Sequence, residues 1–80
     1  MSMALNLSRI KAERIACGKT QKEIAREMGL TRSAYAKREN GLVSIGADEL
    51  EQISQVLEIP KEKMYIFFTD NVPKRERQLI

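Results

Sequence analysis

Apolar residues recur at helical spacing from Leu7 onward. Leu7, Ile10, Arg14 and Cys17 share one side, and Gly18 follows as a stop, which predicts a first helix over about Leu7 to Cys17. Thr20 and Glu23 then form a capping-box pair in which each side chain satisfies the other's backbone N–H, so a second helix should begin at Gln21. Its apolar face is Ile24 and Met28, Ala25 is small where a neighbouring helix must cross closely, and Gly29 ends it. Leu30 anchors the turn. Thr31 is a good N-cap for a third helix that buries Tyr35 and closes at Asn40-Gly41. Beyond the loop Leu42 to Gly46, the spacing of Leu50, Ile53 and Leu57 predicts a fourth helix over about Ala47 to Leu57, with Asp48 and Glu49 in its dipole-favoured first turn. Pro60 suits the first position of a fifth helix running to about Phe67. The pattern predicts five helices and no strand, an all-α compact bundle.

Within this pattern, residues 21 to 40 form two short helices joined by a tight turn. The second presents Arg32, Ser33 and Lys37 outward. That is the layout of a helix-turn-helix DNA reader. The ordered markers are Arg14, Thr20-Gln21, Glu23-Ile24-Ala25, Gly29, Thr31, Glu39-Asn40-Gly41, and Leu50 with Ile53, Leu57 and Ile59. On these residues the chain resembles the phage repressor and Cro type of helix-turn-helix family, also called the xenobiotic-response-element (XRE) family, over about residues 7 to 67. The resemblance implies a five-helix DNA-binding bundle and a double-stranded DNA partner. One position departs from it: Arg38 stands where the family usually carries a large apolar residue that packs the reading helix onto the domain. The arginine stem can cover that surface with its guanidinium at the edge, so Arg38 is expected to pack against the body of the domain.

Roles follow residue by residue. Arg32 and Lys37 suit base edges in the major groove, a guanidinium because it can bind guanine O6 and N7 together. Ser33 and Thr31 could reach a base edge, a thymine methyl or a phosphate, although Thr31 also serves as a cap. By the resemblance, Gln21 bonds phosphate and braces the reading helix. Asn40 is a phosphate candidate with helix capping as the alternative, and Lys22, Lys19 and Arg9 add nonspecific attraction or are simply solvated. The resemblance also implies that Arg14 and Glu39 form a buried structural ion pair.

Charge sharpens this reading. Residues 1 to 41 hold nine Lys or Arg against four Glu, a balance of +5, whereas residues 42 to 69 hold two against five, or −3, and the remainder adds +1 to reach the net +3. The basic half is the half that carries the motif. There is no histidine, no cysteine pair, no glycine-rich phosphate loop and no carboxylate cluster at metal-ligand spacing, so an enzyme, a metal site and a cofactor are all unexpected, as is a small-molecule ligand. No stretch is apolar enough to span a membrane and none resembles a signal peptide, which places the expected location in the cytoplasm of a bacterial or phage-infected cell, at the nucleoid. The single Cys17 is expected to pack as a small hydrophobe.

The expected organisation is one domain over 1–69 and a flexible tail over 70–80. Tyr65, Ile66, Phe67 and Phe68 are four large apolar or aromatic residues in succession, more than one helix face can bury, and they are the expected contact of a homodimer. The function expected is a sequence-specific transcriptional regulator, a repressor of phage or mobile-element type acting as a homodimer on a palindromic operator. The alternatives are a protein-interaction module of the same fold, favoured by the absence of Lys and Arg between Leu42 and Ala47, or the DNA-binding antitoxin of a toxin pair.

Overall fold

The computed structural model describes residues 3–70. Most of the expected tail therefore lies outside the described residues. Helices α1 (Leu7–Ala16), α2 (Gln21–Glu27), α3 (Arg32–Glu39) and α4 (Ala47–Val56) are followed by a 3-10 helix, Lys61–Phe67.

Each α-helix ends in the same way. The N–H three residues past its last helical residue donates back to a carbonyl in its final turn: Lys19 to Arg14 at 3.1 Å, Leu30 to Ala25 at 2.8 Å, Leu42 to Lys37 at 2.8 Å and Ile59 to Ser54 at 2.8 Å. This closure requires a left-handed residue at the reversal. Gly29 supplies it between α2 and α3 at φ 74°, whereas after α4 the position is filled by Glu58 at φ 58°. The reversals fold the helices around one core, to which α1 gives Ile10, α2 Ile24 and Ala25, α3 Tyr35, α4 Ile53 and the 3-10 helix Phe67. The third helix packs chiefly on α2 and α1, while α4 is held by α2 and the 3-10 helix.

The fold class agrees with the all-α expectation, and four details correct it. Two short strands are present, β1 (Met3–Leu5) and β2 (Phe68–Asp70), paired antiparallel with Leu5 opposite Phe68 and Met3 opposite Asp70. The Asn6 N–H extends the pairing to the Phe67 carbonyl at 2.6 Å. Three residues are too few for alternation to announce a strand. The fifth helix is of the tighter 3-10 type, and Pro60 sits at its N-cap, not its first position. Cys17 is exposed, because it caps α1 where the chain turns away; its Sγ lies 3.5 Å from the Leu57 carbonyl oxygen. Phe67 is fully buried in the chain's own core and so cannot serve the intermolecular contact expected of it. Among the described residues, no helix is long and apolar enough to cross a membrane.

Candidate nucleic-acid interface

The second helix opens with the reciprocal cap: Thr20 Oγ1 accepts from the Glu23 N–H at 3.0 Å, and Glu23 Oε1 accepts from the Thr20 N–H at 2.8 Å. The bond from the Thr20 N–H, aided by the Thr20 hydroxyl, holds the Glu23 carboxyl below its ordinary pKa. After Gly29, Thr31 Oγ1 accepts from the Ala34 N–H at 3.0 Å and starts α3. A helix started at this residue carries Arg32, Ser33 and Lys37 on its outer side, all three exposed, with Tyr35 and Glu39 buried behind them. At the far end Gly41 takes φ 83°, and a Cβ there would stand 3.2 Å from Leu7 Cδ1. The end of α3 is thus held close against the start of α1.

Behind α3 lies a buried polar cluster centred on the Glu39 carboxylate. Arg14 grips it with two parallel bonds, Nε to Oε2 at 2.9 Å and Nη2 to Oε1 at 3.1 Å. Gln21 Nε2 donates to Oε1 at 3.0 Å and the Tyr35 hydroxyl to Oε2 at 2.7 Å. The remaining reach of Arg14 goes to the Lys19 carbonyl at 2.8 Å. Burial pushes the Glu39 carboxyl up, but the bonds from Arg14, Tyr35 and Gln21 outweigh it and hold its pKa below the ordinary value. Burial, then the bond to Glu39, raises the Tyr35 phenol. The Arg14 guanidinium is raised by its bond to Glu39. One carboxylate therefore ties α1, α2 and α3 together at the base of α3, and no buried side-chain polar atom among the described residues lacks a partner.

The remaining candidates divide by their partners. Lys22, Arg32 and Lys37 are exposed and in no ion pair among the described residues. Lys19 is turned onto Glu27 at 3.0 Å, which raises its pKa, and Arg9 onto Glu13 at 2.8 Å. Asn40 is exposed at the C-cap of α3, its backbone N–H donating to Ala36 O, with its side chain in no hydrogen bond among the described residues. At the expected dimer contact, Tyr65 and Phe68 are exposed and Ile66 is half-buried.

Three roles here escaped the sequence reading. Arg26 lines a concave surface with Lys22, Leu30, Thr31 and Arg32, and its place one helical turn after Lys22 was the available signal. The Tyr35 hydroxyl joins Glu39 four residues on. Glu49 bonds Arg38 across eleven residues, a distance at which no periodic signal exists.

The helix-turn-helix family model matches residues 10–64, and the chain belongs to that family, in its XRE branch. Two relatives, from Sinorhizobium medicae (strain WSM419) and Rhizobium meliloti (strain 1021), are each 33% identical over 66 residues, or 82% of this chain, and each bears the name uncharacterized HTH-type transcriptional regulator. The chain spans 45% of the length of these relatives. No solved structure matches it.

Proposed function

We propose that this chain is the DNA-reading domain of a sequence-specific transcriptional regulator, a repressor of phage or mobile-element type that binds a two-fold operator as a homodimer. The observation that carries the reading is the exposed trio Arg32, Ser33 and Lys37 on a helix whose opposite face is locked through Glu39. Polar groups that meet base edges must be held in register, and a helix braced from behind holds them. In this reading α3 enters the major groove, with Arg32 and Lys37 on bases and Ser33 and Thr31 on bases or backbone. Gln21, Asn40, Lys22 and Arg26 meet phosphates, Gln21 through the amide hydrogen not given to Glu39. Lys19 contributes less, since Glu27 offsets its charge.

A second reading, a protein-interaction module, draws on Leu42 and Val43. These apolar side chains are 76% and 37% exposed just past the reading helix, where a phosphate contact would want a cation. A salt titration on duplex DNA separates the two. Neutralising roughly 6 to 10 phosphates across two subunits makes affinity fall by about 10³ to 10⁵ between about 50 and 200 mM salt. Arg32→Ala then relaxes base preference, while Gln21→Ala weakens all sequences more evenly. A flat salt response transfers the weight to the protein-interaction reading.

A further inference from the structure

We infer that the ion pair between Arg38 and Glu49 is a positioning device that sets the rotation of α3 about its own axis, and with it the fidelity of base reading. The inference rests on the DNA-reading function proposed above. Arg38 Nε donates to Glu49 Oε2 at 3.0 Å, and Arg38 Nη1 donates to the Ala34 carbonyl at 2.8 Å, so the guanidinium is clamped to its own helix while it grips the next. Both side chains are half-buried, at 18% and 27% exposure. Among the described residues this is the one polar side-chain link between α3 and α4. Glu49 is itself fixed, because its Oε1 accepts from the Gly46 N–H at 3.1 Å and so closes the start of α4.

Arg38 and Glu39 are consecutive, so their side chains leave α3 about 100° apart, at 3.6 residues per turn. Glu39 ties the helix to α1 and α2, and Arg38 ties it to α4. Tyr35 and Glu39 hold α3 toward α1 and α2, and the Arg38 tether in a second direction, toward α4, resists the roll about the axis that this leaves. A roll of about 10° carries side-chain atoms about 5 to 6 Å from the axis through about 1 Å. That exceeds the roughly 0.5 Å within which a recognition group must be held. Lys37, one residue before the tether, and Arg32 and Ser33 on the outer face would all move with it.

The test measures the ratio of affinities for a duplex selected by the unaltered chain from a random library and for a scrambled duplex. Arg38→Leu, Glu49→Gln and the double variant are compared, all below their thermal midpoints. Glutamine keeps an acceptor for the Gly46 N–H, so the start of α4 survives, and leucine keeps apolar cover over the body of the domain. Both single variants should lose roughly tenfold in the ratio, the scale of one misplaced bidentate base contact, and the double variant no more than either. The ratio cancels the general change in attraction that each altered charge brings. Unchanged ratios in the single variants overturn the inference and leave the DNA reading standing, as do losses that multiply in the double variant. An unaltered chain that itself selects no sequence overturns both.

Discussion

Glu39 is 5% exposed and accepts from Arg14, Gln21 and Tyr35, so its removal strands a guanidinium that is itself only 8% exposed. Breaking such a pair costs about 3 to 5 kcal/mol, much of the roughly 5 to 15 kcal/mol that holds a small domain together. Glu39→Ala is expected to be largely unfolded at growth temperature, as circular dichroism would report. The same carboxylate gives the fold an acid limit. Its pKa is lower folded than unfolded, so between the two values the unfolded chain binds more protons and stability rises with pH. The contribution is complete above the unfolded value, about 4.3, and is lost as pH falls through the folded value; Glu23 and Glu49 act in the same direction. Urea midpoints measured across this acid range should fall more steeply for the unaltered chain than for Glu39→Gln. Parallel curves would remove Glu39 from the account. Glu58 offers the opposite case, a left-handed residue that is not glycine. Glu58→Gly should raise stability by about 1 kcal/mol, or roughly 4 to 8 °C in calorimetry for a domain of this size; a lowered midpoint would show that the turn is unstrained.

Helix starts and stops were the most legible features of the chain, because their chemistry is local. Thr20 with Glu23, Thr31, and Gly29 each act within a few residues, and α2 and α3 begin where those residues place them. Thr20→Ala should accordingly cost about 1 kcal/mol, read as a lower denaturation midpoint with DNA preference intact; an altered preference would mean that the cap also touches DNA. The Tyr35 hydroxyl bond to Glu39 was legible in principle at i, i+4, but the phenol was read for its ring alone. The strands were not legible, since Leu5 meets Phe68 across nearly the whole domain and three residues carry no alternation. Nor was the 3-10 geometry of Lys61–Phe67, which turned Phe67 inward and left Tyr65 outside. Arg38 was legible as a departure and Glu49 as a helix-start acid, but only the fold brings them to 3.0 Å.

For the whole molecule, the charge balance of +5 over residues 1 to 41 and −3 over 42 to 69 makes the stretch that carries α1, α2 and α3 the basic part of the chain. The acidic stretch carries Tyr65 at 69% and Phe68 at 39% exposure. Two copies reading successive major-groove faces need their reading helices about 34 Å apart, one turn of B-DNA, and pairing at Tyr65 and Phe68 would cover that apolar surface. Sedimentation across micromolar concentrations should show a dimer that Tyr65→Asp and Phe68→Asp dissociate, without the core damage that a change at Phe67 would bring. A monomer throughout that binds single half-sites as tightly as paired ones would contradict the two-fold arrangement.

The central claim is that α3 reads base sequence, and selection of binding sites from random duplexes tests it most directly. The unaltered chain should enrich one motif with two-fold symmetry, and Arg32→Ala should lose preference at the same symmetric position in each half-site while retaining salt-dependent binding. No enrichment by the unaltered chain, or an identical motif from Arg32→Ala, would contradict the account.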